Sequence, residues 1–312
     1  MHSVLQPSSP EAHAISTLWW WMLAVATLVY LAVIAGMLVA LRARRADRGN
    51  STSDAGDSRI SRVPAIAAFT TLAIVAGFWI YTIAVETRIN RMSRTPLGIA
   101  VTGHEWWWEI TYDVGDTAAP VRTANELHIP VGERVAILLG SSDVIHSLWV
   151  PSLAGKRDLV PGHSNHIVIQ ADTAGVYRGQ CAEFCGLQHA HMALFVIAEP
   201  RAAFETWLRQ QRQPAAAPRD TLGARGRSVF LSAQCVSCHT IADATNPASF
   251  GPNLTHVASR STIAAGTLAN STEHLAAWIR DPQTTKPGAT MPANALAPAD
   301  LRALVAYLGS LR

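Results

Sequence analysis

Residues 180–192 read "QCAEFCGLQHAHM" and gather two cysteines, a glutamate, two histidines and a methionine into one short stretch. Cys181 and Cys185 stand four residues apart, close enough for two thiolates to bridge a pair of metal ions. His189 follows Cys185 by four positions and Met192 follows His189 by three. Thiolate and thioether donors beside imidazole point to copper rather than to magnesium, calcium or manganese. Zinc stays open at this point, because C-x3-C with two histidines can make a tetrahedral site, although it leaves Met192 unexplained. Either metal asks for a second histidine. His146, 35 residues upstream in "SSDVIHSLWVP", is the natural donor, on a loop between two expected strands.

The flanks of this stretch set the fold around it. "ELHIPVGERVAILLGS" and "SNHIVIQADTAGVYRGQC" alternate branched and apolar residues with period two, between Gly, Pro, Ser and Asp turns. "HMALFVIAEP" reads as a closing strand. Six or more short strands without an intervening helix, over residues 91–208, predict a Greek-key β-sandwich. A short helix, "RAAFETWLRQ", leads into "QRQPAAAPR", whose Pro, Ala and Gln content marks a linker over 209–219. Beyond it, over 220–312, "TLGARGRSVFLSAQCVSCHTI", "STEHLAAWIRDP" and "APADLRALVAYLGSLR" read as helices. The last carries Leu301, Leu304, Val305 and Leu308 on one face behind a Pro298–Asp300 start signal.

Upstream, composition changes sharply. Of the 312 residues 49% are hydrophobic and 15% charged, and the excess lies in two charge-free runs, residues 18–41 and 63–85. Each exceeds the ~20 residues that span a hydrocarbon core as a helix. Residues 18–90 are therefore expected to form a two-helix transmembrane hairpin. Its loop carries Arg42, Arg44, Arg45, Arg48, Arg59 and Arg62, whereas residues 1–17 hold no lysine or arginine. Arginine-rich short loops stay in the cytoplasm, so both termini and everything past residue 90 are expected outside. Trp19, Trp20 and Trp21 suit an interfacial aromatic belt.

Four cysteines in an outer compartment would first suggest disulfides. Their arrangement as C-x3-C and as C-x2-C-H (Cys235, Cys238, His239), both beside histidines, argues for metal centres instead. C-x2-C-H is the attachment sequence of c-type haem, in which two thiols bind covalently and the histidine takes an axial position on iron. Met291 in "KPGATMP" is the methionine that follows Met192 and is the expected second axial ligand; His256 and His274 are its rivals. Residues 220–312 resemble a class I cytochrome c domain, on "CVSCHT", "GPNL", "WIRDPQTTKPGATMP" and the final helix with Tyr307. Residues 95–208 hold twelve acids and six bases, and residues 220–312 five acids and seven bases. Neither half has the basic stripe of a nucleic-acid binder, and the opposite signs are compatible with the two halves docking.

"DVIHSLWVPSL" followed by "CAEFCGLQHAHM", with "GHEWWWEITY" upstream and two membrane helices before it, resembles cytochrome c oxidase subunit II. One branch of that family carries a fused cytochrome c. The resemblance implies a cupredoxin-like sandwich holding the dinuclear copper site CuA. Cys181 and Cys185 would be its bridging ligands, His146 and His189 its terminal ligands, and Met192 and the Glu183 carbonyl its weak axial donors. It further implies a magnesium or manganese ion on the Glu183 carboxylate at the contact with subunit I, and admission of electrons through Trp106. His191 has no family role and reads as a surface histidine. A glutamate usual before the second membrane helix is replaced by "SDAGDSRISRVPAI", where Asp57 is the closest carboxylate, so its part in proton uptake is open.

The expected function is electron transfer to the haem of subunit I of a haem–copper oxidase in a bacterial inner membrane. Oxygen would be reduced to water there, coupled to proton pumping, with no oxygen site in this chain. Expected partners are subunit I, subunit III, membrane lipid, and cytochrome c or the cytochrome bc complex as donor. A CuA-bearing nitric oxide reductase would use the same motifs, and an anchored copper carrier is a further reading. The encoded or purified catalytic partner distinguishes the first two; the fixed set of six donor positions argues against a carrier.

Overall fold

A computed structural model describes the backbone of residues 3–46, 57–91, 98–113, 120–242 and 250–312, with the side chains at 44–46, 57–62 and 88–91 outside the description. The side chain of Asp57 lies among the latter.

Two apolar helices come first, α1 (Pro10–Ala46) and α2 (Asp57–Arg91). Their apolar windows, Pro10–Ala43 and Val63–Thr87, reach a mean hydropathy of 2.5 and 2.0. Phe69, Leu72 and Trp79 are 73%, 64% and 67% exposed, which a water-soluble helix would not tolerate and a lipid-facing one requires. Both helices outrun the apolar runs that announce them. A helix satisfies its hydrogen bonds internally, so it continues through polar flanks once nucleated. Both are long and apolar enough to cross a membrane.

Ten strands follow: β1 (Ile99–His104), β2 (Trp107–Tyr112), β3 (Val121–Ala124), β4 (Glu126–Pro130), β5 (Val135–Ser141), β6 (His146–Trp149), β7 (Arg157–Leu159), β8 (Asn165–Ile169), β9 (Gly175–Cys181) and β10 (Ala193–Glu199). They form two five-stranded sheets, ordered β3-β2-β1-β5-β8 and β4-β10-β9-β6-β7. The β1–β5 and β10–β4 pairs are parallel and the others antiparallel. Val135, Ile137 and Leu139 are buried while Leu138 between them is exposed, the alternation that a sheet with one wet face produces. Trp108, Ile110, Leu148, Leu194 and Val196 from both sheets share one core. The architecture is a cupredoxin-like sandwich.

Helix α3 (Arg201–Gln211) closes it by adding Phe204 and Leu208 to that core, and its Trp207 stacks on His128 at 3.9 Å. The residues before α1 pack on the same domain. Ser8 N–H donates to the Ser152 carbonyl, Asp172 N–H donates to the Ser8 carbonyl, and Ser9 Oγ donates to the Leu153 carbonyl.

The C-terminal part is helical, with α4 (Thr221–Ser232), α5 (Thr272–Arg280), α6 (Pro298–Ser310) and a short hairpin of β11 (Thr262–Ile263) and β12 (Leu268–Ala269). Asp220 caps α4 by accepting from Gly223 N–H at 2.7 Å, and Ser271 caps α5. Leu301, Leu304, Val305 and Leu308 are buried as their spacing requires. Helices α4 and α6 touch through Gly226, where a Cβ would lie 2.0 Å from the Ala303 carbonyl oxygen, so only glycine allows this approach. Helix α4 stops at Ser232, short of the helix expected through "CVSCHTI". Ala233 turns extended and a 3-10 turn, Gln234–Ser237, carries Cys235 instead.

Candidate metal centre

The loop from Cys181 to Met192 joins two neighbouring antiparallel strands, so the sandwich fixes both its ends: Cys181 N–H donates to the Met192 carbonyl at 3.1 Å. Inside the loop Gly186 adopts φ +107°, where a Cβ would meet the Trp106 indole at 3.0 Å. That conformation turns the chain back so that Cys185, His189 and Met192 face Cys181. From the other side, His146 opens β6 and is fully buried. Gly103 makes room for it, since a Cβ there would sit 2.6 Å from its ring.

The donor atoms converge. Cys181 Sγ and Cys185 Sγ lie 3.8 Å apart, His146 Nδ1 is 3.9 Å from Cys181 Sγ, and His189 Nδ1 is 3.7 Å from Cys185 Sγ. Met192 Sδ is 3.9 Å from Cys185 Sγ and the Glu183 carbonyl oxygen is 3.2 Å from Cys181 Sγ. Ligands about 2.0–2.3 Å from a shared ion stand roughly 3.5 Å apart, so these separations fit metal coordination. All four cysteines are free thiols. The arrangement of two sulfurs, each facing one imidazole, with the thioether and carbonyl at the ends, suits a bridged pair of soft ions better than one tetrahedral zinc.

Electrostatics favour ionised sulfur. The Cys185 thiol and the His146 ring both pair with Cys181 and hold its thiol down at about 3, while the same pairing pushes Cys185 up. Burial resists the charge on Asp143, yet hydrogen bonds from His146, Val144 N–H and Glu105 N–H hold its carboxyl at about 2. Asp143 Oδ1 lies 2.8 Å from His146 Nε2 and so turns Nδ1 toward the sulfurs. Nothing but its place three residues before His146 marks Asp143 in the sequence.

Around this centre, Trp106 is 8% exposed and its Nε1 donates to the Cys185 carbonyl at 2.7 Å. His191 is exposed and bonds Gln188 Oε1 through Nδ1. The Glu183 carboxylate lies 3.5 Å from Lys156 Nζ.

In the helical part, the His239 ring is held by Nδ1 donating to the Pro252 carbonyl at 2.9 Å, which leaves Nε2 for a metal. Burial lowers its pKa and keeps the ring neutral, as ligation requires. Gly251 is needed beside it, because a Cβ would lie 2.7 Å from the ring. Cys235 and Cys238 are half-buried. Of the rivals to Met291, His256 gives Nε2 to the Gln213 carbonyl and His274 gives Nδ1 to the Ala269 carbonyl. Met291 is half-buried, in a loop braced by Gln283 Nε2 on the Ala289 and Met291 carbonyls.

Residues 115–199 match the family of the cytochrome c oxidase subunit II periplasmic domain, and residues 223–312 match the cytochrome c family. The chain thus matches these two families one after the other along its length. It is 43% identical over 216 residues to cytochrome c oxidase subunit 2 of Alkalihalophilus pseudofirmus, covering 69% of this chain and 61% of that relative. It is 32% identical over 237 residues to the same subunit of Bacillus sp. strain PS3, covering 72% and 64%. The match thus spans somewhat under two thirds of the length of either relative. A solved structure of the periplasmic domain of subunit II from Bradyrhizobium japonicum aligns at 26% identity and a TM-score of 0.36, covering 38% of this chain and 95% of that one. The subunit II domain implies a copper centre of the CuA kind, and the cytochrome c domain implies haem c.

Three side chains that no motif announces stand where the cytochrome c domain meets the subunit II domain. Glu126, Gln188 and Lys286 are buried there, 4%, 6% and 3% exposed.

Proposed function

We propose that this chain is the electron-transfer subunit II of a haem–copper terminal oxidase, passing single electrons from its haem c domain through CuA to the haem of subunit I. The observation that carries this reading is the pair of sulfurs 3.8 Å apart, each facing one imidazole, in the same chain as a C-x2-C-H domain. When bound, the copper pair and haem c supply reversible one-electron sites. Cys181, Cys185, His146, His189, Met192 and the Glu183 carbonyl would hold the copper pair, and Cys235 and Cys238 would attach the haem, with His239 and Met291 as the residues that would ligate its iron.

The protein contributes fixed geometry. His146 cannot swing because Asp143 holds its outer nitrogen, and the β9–β10 hairpin clamps both ends of the loop. Ligands held this way move little between redox states, which keeps reorganisation on transfer small. Trp106 donates from its indole Nε1 to the Cys185 carbonyl. Buried as it is, it suits admission of electrons from the fused domain rather than from a free carrier.

The wider assignments extend the same reading. Domain limits are 18–90 for the membrane hairpin, 91–208 for the copper domain, 209–219 for the linker and 220–312 for the haem domain. The bonds between residues 8–9 and residues 152–153 and 172 support a tail on the same side of the membrane as the sandwich. With the arginine-rich loop, they favour both termini outside a bacterial inner membrane. Subunit I takes the electrons and reduces oxygen to water with proton pumping, subunit III accompanies it, and cytochrome c or the bc complex reduces the haem. The Glu183 carboxylate would hold magnesium or manganese at the subunit I contact.

Metal analysis and EPR of the chain purified with its membrane neighbours test the core of this. Two coppers per haem with a mixed-valence EPR signal are expected; one copper, or zinc, per haem would refute it.

A further inference from the structure

The contact between the cytochrome c domain and the copper domain has an uncommon construction: a buried charge crosses it in each direction. From the copper domain, Glu126 on β4 reaches out, and its Oε1 accepts from Ser261 N–H at 2.7 Å, Ser261 Oγ at 2.5 Å and Thr262 N–H at 3.3 Å. From the cytochrome c domain, Lys286 reaches back. Its Nζ donates to the carbonyls of Trp106 and His191, both at 2.9 Å, and to its own domain's Ala264 carbonyl at 3.4 Å. Three ammonium protons meet three carbonyls, and the lysine has no carboxylate within this set.

Between the two charges the backbones join directly. Ala193 N–H donates to the Ala265 carbonyl at 3.0 Å, and Gln188 Nε2 donates to the Pro287 carbonyl at 2.8 Å. Trp107, Ala124 and Ala265 form a small apolar cluster across the contact. The turn at 264–266 is built for this approach. Ala264, Ala265 and Gly266 all take positive φ (54°, 55° and 77°), and a Cβ at 266 would lie 2.9 Å from Ala193 and Phe195. Two alanines in the left-handed region persist only where surroundings over-determine them.

A buried charge separated from its partners is heavily penalised. A shift of one residue, or a modest rotation, would strip Lys286 of two carbonyls and Glu126 of its donors together. Such an interface accepts one register. It also lies on the loops that matter: Lys286 precedes Met291 by five residues, and Gln188 directly precedes His189.

Resting on the function proposed above, we propose that Glu126 and Lys286 are reciprocal positioning residues that hold the haem domain in one fixed register on the copper domain. One electron then crosses a static contact, oxidising the haem by one unit and reducing the copper pair by one, with no bond made or broken. The linker carries little of this task.

The test uses the full-length chain, Lys286→Met and, as a shape-preserving second variant, Glu126→Gln. Amide hydrogen exchange over residues 186–195 and 260–266 reads the register without needing copper. The intramolecular haem-to-copper rate after photoreduction reads its consequence. Lys286→Met is expected to speed exchange of the Ala193 amide at least about tenfold, in line with the cost of truncating a buried charged contact. It should also slow transfer by about tenfold or more and make the rate depend on solvent viscosity, with haem absorption and the copper EPR signal unchanged. Unchanged exchange in a folded variant overturns the pins; faster exchange with an unchanged rate overturns their part in transfer. Should Lys286→Met not fold, Glu126→Gln decides by the same two readouts. A wild-type chain without a copper pair would sink the proposed function, while exchange would still judge the pins.

Discussion

The copper loop at 181–192 and the haem-attachment segment at 235–239 are both short cysteine–histidine motifs, yet they are held in different ways. In the first, six donors already converge within 3.2–3.9 Å chain links, on a hairpin anchored in two strands and backed by the largest core of the molecule. In the second, the two cysteines are half-buried, Cys235 on a 3-10 turn and Cys238 just past its end. Among the described residues, the metal-type cluster of histidine, cysteine and acid side chains is His146, Cys181 and Cys185, which does not include the haem segment. Among the described residues, the fold by itself gathers the first set of donors and not the second. The helical domain has the smaller buried core of the two, whereas the sandwich has two full sheets.

Removing each group should therefore give unequal results. The largest effect is expected from Cys235→Ala with Cys238→Ala: no covalent haem, and loss of cooperative unfolding and protease resistance over residues 220–312. The sandwich should still bind copper. Circular dichroism with limited proteolysis would show this, and a haem-free C-terminal domain that resists protease like wild type would break the comparison.

Next in size, Cys185→Ser should abolish the dinuclear EPR signal while shifting the stability of the copper-free sandwich by only about 1 kcal/mol, an ordinary value for one substitution. Calorimetry of the copper-free proteins measures it; global unfolding would mean that the metal builds this site too.

Smaller still is Met291→His. The two thioether links should remain and the haem potential should drop by roughly 0.2 V, a fraction of the about 0.8 V that axial ligands span. An unchanged potential and spectrum would remove Met291 from the iron. Least of all, Met192→Leu should keep both coppers, move the copper potential slightly, and cost under about 1.5 kcal/mol as a volume-conserving swap. Loss of copper would make the thioether a principal ligand instead of an axial one.

The same contrast explains what the sequence made legible. The copper donors sit in one local stretch, and period-two burial at Val135, Ile137 and Leu139 marks the strands that frame it, so the sandwich and its loop can be read directly. His146 was reachable only because one more imidazole was required. Helix α6 is legible from four apolar residues on one face. The stop of α4 at Ser232 is not, because "SAQCVSCHT" contains no Gly or Pro to mark a helix end. Glu126 and Lys286 were out of reach for a different reason. Their partners lie 135 and up to 180 positions away, and a lone Glu or Lys reads as solvated until the opposing surface is known. The acidic and basic balance of the two halves hinted that they meet, without saying where.

The tail before α1 has a consequence in time rather than in space. Ser9 and Glu11 are made well before the groups they bond, the Leu153 carbonyl and Gly155 N–H, which lie 144 positions later. The tail must wait through the synthesis of both apolar helices and half the sandwich before it has anything to hold. Closing so long a loop adds only a slowly growing entropy cost, but it defers the event. Docking of residues 8–11 is thus a late step of maturation, and a newly made chain caught with a protease-accessible tail has not finished folding its outer domain.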